Sequence, residues 1–296
     1  MTSGGPLDVA PGTALGHEYS GEVVDVGTAV RNLRAGDRVT AVPMTSCGAC
    51  PACLADRPLH CPSFQSMQGG YSEFVLIDAR MAVRLPDGMD HDTGALVEPL
   101  ASALRGIRRM TLTRGARVAI LGGGAIGLGA AFWARRLGAG PIVVIARSRR
   151  SETIAAAMGA DGFVTSGDDL SSRVSHVLGG EPDLVVEGAG VAGALQTAID
   201  LARIGGSVLS MGGCIHADPI HPATAMFKDL RIEFSVAYGL GEFRAVIDAF
   251  EGDHFAPSRM IGARIGLDAL PDRFEAMRCG SRSVRIVVEP HRRRDG

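Results

Sequence analysis

The chain has 296 residues, 46% of them hydrophobic and 21% charged, with 40 glycines, 15 prolines and a formal net charge of −2. Such a length buries a sizeable core and points to two domains, while a mean hydropathy of +0.17 with no long apolar run argues against a membrane span. Charges of both signs are interspersed and aromatic residues make up only 5%, which argues against nucleic-acid binding.

The opening residues, MTSGGPLDVAPG, hold neither a basic nor an apolar stretch. No secretory leader is therefore expected, and the expected location is cytoplasmic. Residues 1 to about 100 carry short β-like runs between Gly, Pro and Asp, namely GEVVDVGTAV, DRVTAVPM and SEFVLIDA. His17 and Glu18 stand just before the first of these runs, and Glu98 precedes Pro99 at the end of the segment. Taken singly, each has an ordinary explanation: a core histidine, an exposed acid, an acid at a helix start.

Inside this β-rich segment Cys47, Cys50, Cys53 and Cys61 fall within fifteen residues, whereas Cys214 and Cys279 stand alone. Four thiolates on one compact loop match a closed tetrahedral zinc site, which is structural rather than catalytic. An iron–sulfur cluster or buried free cysteines are the alternatives. A disulfide framework is out of place in a long chain without an export leader.

From about residue 104 to 236 the texture changes to alternating apolar strands and helices. ARVAILGG, PIVVIAR, DGFVTS, PDLVVEGAG, SVLSMGG and LRIEFSVA read as strands, with AIGLGAAFWARRLGA, SETIAAAMGA and ALQTAIDLARIGG as helices. That alternation predicts a doubly wound parallel sheet covered on both faces. Between the first strand and helix, Gly122, Gly124 and Gly127 satisfy G-x-G-x-x-G. In this setting the pattern predicts a dinucleotide-binding turn, with phosphate at the helix N-terminus.

An NAD site normally ends its second strand with an acid for the ribose 2′-hydroxyl. Here the chain reads Ile145, Ala146, Arg147, Ser148, Arg149, Arg150. Arg147 and Ser148 suit a 2′-phosphate, so NADP(H) is favoured over NAD(H); the alternative is a solvated basic loop. Lys228 is the single lysine, which disfavours Schiff-base chemistry. After about residue 237 come the helical stretches GEFRAVIDAFEG and LPDRFEAMRCG, then the strand-like SVRIVVEP. The final HRRRDG reads as a solvated tail.

The stretches GHEYSGEVVDVG, GDRV, the cysteine loop, GALVEPLASAL, GGGAIGLGAAFWARRLGA and VRIVVEP occur in one order along nearly the whole chain. In that order they resemble the zinc-dependent medium-chain dehydrogenase/reductases, and most of all the polyol (sorbitol and butanediol) dehydrogenase branch. The resemblance implies an α/β fold: a Rossmann domain over 104–236, plus a GroES-like mostly-β catalytic domain with a structural zinc lobe over 1–103 and 237–296. It implies that His17, Glu18 and Glu98 hold a catalytic zinc, that Cys47, Cys50, Cys53 and Cys61 hold a structural one, and that Arg285 contacts the cofactor pyrophosphate.

The implied reaction is reversible hydride transfer between NADP(H) and a secondary alcohol, polyol or corresponding ketone, in a homodimer or homotetramer. Vicinal diols, amino alcohols and sugars fit such a site equally. Family members begin with several strands and a Cys-Gly segment whose cysteine binds the catalytic zinc, and this sequence starts beyond that point. Exposed strand edges and about one zinc are therefore expected of a chain starting at Met1. The competing readings are a catalytically impaired nucleotide-binding remnant and a zinc-independent quinone-type reductase. The second is disfavoured by the cysteine loop and the GHE pair.

Overall fold

The structure is a computed structural model and describes residues 11–55, 57–251, 255–279 and 283–291. The leader reading of the first ten residues and most of the terminal HRRRDG run lie outside the described residues. The chain divides into two compact units, one spanning Ser102–Val236 and the other built from Ala10–Ala101 and Ala237–Gly296.

The two-segment unit is assembled from short strands separated by turns. Strands β1 (Ser20–Glu22), β2 (Arg38–Ala41) and β5 (Ala82–Arg84) form one antiparallel sheet in the order β1-β2-β5. Strands β3 (Met44–Thr45) and β4 (Gln65–Ser66) make a separate antiparallel pair, which flanks the short helix α1 (Pro51–Leu54) of the cysteine loop. Helix α2 (His91–Ala95) starts at Asp90, whose carboxylate accepts the Thr93 N–H at 2.8 Å. Helix α3 (Val97–Arg109) follows, with Glu98 and Pro99 in its first turn. Proline is tolerated there because a first-turn N–H has no partner within the helix.

Of the expected strands, one is absent and one is shorter than its sequence suggests. SEFVLIDA forms no strand, and within it Phe74 is 69% and Leu76 81% exposed. β-Forming residues hold a strand only against a ladder partner, and none of the described strands pairs with this segment. GEVVDVGTAV is strand only as far as Glu22, because its partner β2 begins at Arg38. There Asp37 turns the chain, its carboxylate accepting from the Arg34 N–H at 2.9 Å and from Arg84 at 2.7 Å.

The second unit follows its apolar periodicity closely. In chain order it contains β6 (Val118–Leu121), α4 (Ala125–Arg136), β7 (Ile142–Ala146), α5 (Glu152–Ala157), β8 (Gly162–Thr165) and α6 (Leu170–Leu178). These are followed by β9 (Leu184–Glu187), α7 (Ala194–Leu201), β10 (Ser207–Ser210), α8 (Pro222–Phe227) and β11 (Arg231–Phe234). All six strands pair in parallel in the order β11-β10-β9-β6-β7-β8, so the order reverses at β6. Strand runs such as Val118–Leu121 and Ile142–Ile145 are buried on both faces, as a parallel sheet between helix layers demands. Each fully buried Val, Leu or Ile adds about 1.5–3 kcal/mol.

The single lysine has a structural post in this unit. Lys228 Nζ donates to the carbonyls of Ile199 at 3.2 Å, Asp200 at 2.6 Å and Ala202 at 2.8 Å. All three ammonium donors thus serve the C-terminal end of α7, where a cation also meets the negative pole of the helix.

The chain then re-enters the first unit through α9 (Leu240–Asp248), β12 (Ile261–Ile265), α10 (Leu270–Arg278) and β13 (Arg285–Val288). Strands β12 and β13 pair in parallel. Lys228→Met is expected to destabilise the protein by about 1–3 kcal/mol in denaturant unfolding; an unchanged midpoint would show that the α7 carbonyls need no cation.

Candidate functional site

Three of the residues singled out in the sequence meet in the two-segment unit. Single donor atoms of His17, Glu18 and Glu98 lie within 4.8 Å of one another. His17 and Glu18 sit on the approach to β1, and Glu98 on the first turn of α3. His17 Nε2 is 3.6 Å from Glu98 Oε1. Donors around one tetrahedral ion at zinc–oxygen and zinc–nitrogen lengths stand about 3.4 Å apart, so the spacing fits.

Burial differs sharply across this group. Glu98 is only 6% exposed, whereas the His17 side chain is 48% exposed, so the set has one closed and one open side. Loss of hydration, then the neighbouring Glu18 carboxylate, push the Glu98 carboxyl up to about 8. A divalent cation among these donors answers both effects: it replaces lost water and separates two like charges. The donor set of one imidazole and two carboxylates is one that zinc accepts.

Arg285, on β13, donates from Nη2 to Glu18 Oε1 at 2.9 Å. Its Nε is buried with no hydrogen-bond partner among the described residues. The guanidinium expected to meet a pyrophosphate thus already neutralises part of the Glu18 charge.

The tyrosines form a feature the sequence reading missed. The chain contains three; Tyr71 and Tyr238 are linked electrostatically to this cluster, and Tyr19 to Tyr238. The Tyr238 hydroxyl donates to Glu98, and burial, then the Glu98 charge, raise its pKa. Burial holds Tyr19 at about 12. Burial, then Glu18, raise Tyr71. Tyr238 follows Ala237, a non-glycine residue in the left-handed region at φ 59°. Such backbone strain is often held at functional sites. In the sequence only Tyr19 stands beside a singled-out residue, Glu18; Tyr71 and Tyr238 carry no such signal.

The cysteine loop is also closed up. The four Sγ atoms lie within 4.8 Å of one another, with Cys47–Cys53 at 3.9 Å, Cys50–Cys53 at 3.6 Å and Cys61–Cys47 at 3.5 Å. Four sulfurs around one zinc at 2.3 Å stand about 3.8 Å apart, so the loop has the dimensions of a filled site. Backbone N–H groups support the sulfurs: Cys50 donates to Cys47 Sγ at 3.3 Å and Ser63 to Cys61 Sγ at 3.3 Å. Hydrogen bonds from the Ala49 and Cys50 backbone lower the Cys47 thiol to about 6, while desolvation and bonds with the neighbouring thiols push Cys50 up to about 11. Cys214 and Cys279 join neither group of donors.

In the parallel-sheet unit the glycine turn links β6 to α4. Gly122 adopts φ +113°, and a Cβ on it would lie 2.8 Å from the Gly188 backbone. A Cβ on Gly127 would lie 2.0 Å from the Gly122 carbonyl oxygen, so α4 packs against the turn only without a side chain there. Gly124, at the N-cap of α4, faces open space, which leaves room for a ligand to approach the backbone.

Beyond β7, Arg147, Ser148, Arg149 and Arg150 are all exposed. Arg149 is engaged by Glu152, with Nε donating to Oε2 at 2.7 Å. Arg147 and Arg150 have no hydrogen bond or ion pair among the described residues. The Glu152 carboxylate is therefore occupied, a point the sequence reading did not weigh. Among the described residues no helix is long and apolar enough to cross a membrane.

A family model described as "Alcohol dehydrogenase GroES-like domain" matches residues 1–87, and one described as "Zinc-binding dehydrogenase" matches residues 125–252. The (R,R)-butanediol dehydrogenase of Bacillus subtilis is 32% identical over 289 residues, covering 96% of this chain and 82% of its own. Sorbitol dehydrogenase of the same organism is 31% identical over 292 residues, covering 94% and 81%. Among solved structures, one ascribed to a zinc-binding dehydrogenase of Sinorhizobium meliloti bound to NADP superposes with a TM-score of 0.81. It is 34% identical and covers 95% of this chain and 84% of that one.

Proposed function

Because the chain belongs to the zinc-binding medium-chain dehydrogenases, on their polyol dehydrogenase-like branch, we propose that it moves a hydride between NADP(H) and a secondary alcohol, a polyol or the corresponding ketone. The observation that carries this reading is the gathering of His17, Glu18 and Glu98 into one half-open donor set. In the oxidative direction the alcohol carbon gives its hydride to nicotinamide C4, and the hydroxyl proton leaves to solvent. The products are the ketone, reduced cofactor and one proton.

His17, Glu18 and Glu98 would hold a zinc ion that, when bound, supplies Lewis acidity to the substrate oxygen and lowers the alcohol pKa. The protein's own groups tune that site. Arg285 draws on the Glu18 charge, which keeps two carboxylates from fully neutralising a cation. Tyr238 orients the Glu98 carboxylate by hydrogen bonding. The exposed side of His17 leaves an approach for substrate. The four cysteines would hold a second, structural zinc, their thiols matching a reducing, cytoplasmic compartment.

NADP(H) over NAD(H) is supported by Arg147 and Arg150, whose guanidinium groups have no partner among the described residues, by the capture of Glu152 and by the NADP-bound relative. Assembly as a homodimer or homotetramer is supported by β11, an edge strand carrying Phe234 at 63% exposure, with Val236 just beyond it at 65%. The substrate class follows the butanediol and sorbitol dehydrogenase relatives.

Three clustered donors favour a second zinc over the single one expected from the sequence. His17→Ala should reduce the zinc content from about two equivalents to about one and lower alcohol oxidation by about 100-fold or more; unchanged content and rate would contradict the assignment. Arg147→Glu should weaken NADPH binding by about 10-fold or more while leaving NADH within about threefold. Equal losses for the two would remove the 2′-phosphate role.

A further inference from the structure

Glu187 closes β9 with a side chain buried to 3% exposure, and neither the fold nor the metal chemistry described above calls for an acid there. Its carboxylate is fully engaged without a cation. Oε1 accepts the backbone N–H of Ala189 at 2.8 Å and of Gly190 at 2.7 Å. Oε2 accepts the Ser210 hydroxyl at 2.9 Å and the Gly212 N–H at 3.3 Å. Ala189 and Gly190 belong to the turn after β9; Ser210 ends β10 and Gly212 lies in the turn beyond it. Glu187 and Ser210 are register partners, so one acid ties together two adjacent turns at the carboxyl ends of their strands.

The tie extends to the glycine turn. Glu187 is also the register partner of Leu121 on β6, and the Gly188 N–H donates to the Leu121 carbonyl at 2.8 Å. A Cβ on Gly122 would strike the Gly188 backbone at 2.8 Å. A Cβ on Gly212 would lie 2.2 Å from the Gly190 nitrogen and 2.4 Å from Glu187 Oε1. Three successive turns therefore pack backbone to backbone around a single carboxylate, beside the point where the strand order reverses.

In open α/β sheets, ligands bind outside the carboxyl ends of the strands at that reversal. The turns after β6 and β7 serve the phosphates and the adenosine ribose, which leaves the turns after β9 and β10 to the other nucleoside. Consecutive N–H groups such as those of Ala189 and Gly190 form an anion-binding nest, with Gly190 in the left-handed region at φ +65°. Left open, that nest would compete for the anionic parts of a dinucleotide. Here the chain fills it with its own acid.

We infer that Glu187 is a positioning residue for the dinucleotide, occupying the Ala189–Gly190 nest and fixing the turns after β9 and β10 so that they receive its nicotinamide half. This deepens the dinucleotide reading proposed above and rests on it. Replacing one oxygen by an amide NH2, as in Glu187→Gln, turns a donor toward backbone N–H or hydroxyl donors and loosens one turn. The charge and shape of the adenosine side are left alone.

The test uses the full-length zinc-loaded protein and titrates NADPH and the fragment 2′,5′-ADP separately. Energy transfer from Trp133, the single tryptophan and itself part of α4, reports NADPH; calorimetry reports the fragment. Glu187→Gln should bind NADPH about 10-fold more weakly than the unmodified chain, with 2′,5′-ADP binding within about twofold and zinc content unchanged. Ser210→Ala removes only one of the four donors and should show a smaller loss of the same kind, which keeps the test decisive if the first variant fails to fold. NADPH binding as tight as in the unmodified chain, or an equal loss for NADPH and the fragment, would overturn the inference. If the unmodified chain bound neither NADPH nor NADH, the dinucleotide reading itself would fall and the inference with it.

Discussion

A carboxyl group that has lost its water is the constraint from which the metal-site account follows. Glu98 is held on the first turn of α3, with the Glu18 carboxylate near it and the His17 imidazole 3.6 Å away. Desolvation and like charge both penalise its ionised form, and only a proton or a cation relieves both. The surrounding groups fit the cation. Tyr238 donates to Glu98, Arg285 balances Glu18, and the imidazole offers a nitrogen on the open side. The Arg285 guanidinium goes to Glu18, the less buried of the two carboxylates, while Glu98 faces the imidazole.

The parallel-sheet unit follows a different constraint, backbone crowding at the carboxyl ends of β6, β9 and β10. Glycine is required where these turns touch, because no methyl group fits between Gly122 and Gly188 or between Gly212 and Gly190. Close approach of bare backbone gathers the N–H groups of these turns at one end of the sheet. A Cβ on Gly124 at the start of α4 would meet open space, whereas the N–H groups of Ala189 and Gly190 are turned onto Glu187. The same economy appears in Lys228, whose three donors all go to carbonyls at the end of α7.

Much of this was legible in the sequence wherever the signal was local. Apolar runs between glycines, such as ARVAILGG and PIVVIAR, lie at the strands they predict, because a parallel strand buried on both faces must be continuously apolar. The cysteine spacing likewise predicts a loop that closes on itself, since its four sulfurs lie within fifteen residues. SEFVLIDA misled because its composition is that of a strand while a strand needs a partner, which lies outside the segment's own sequence.

The meeting of His17 with Glu98 was not derivable from spacing, since eighty residues separate them; family resemblance supplied the expectation and the fold supplies the distance. Tyr238 and Glu187 escaped notice for a related reason. A tyrosine after a strand and an acid at a strand end look ordinary until the fold shows which buried groups they touch.

The most direct measurement is anomalous diffraction at the zinc absorption edge from crystals of the zinc-loaded protein. The account predicts two peaks: one among Cys47, Cys50, Cys53 and Cys61, and one about 2.0–2.2 Å from His17 Nε2 and from an oxygen of Glu18 or Glu98. A single peak at the cysteines, with His17 and Glu98 still in place and no metal between them, would contradict it.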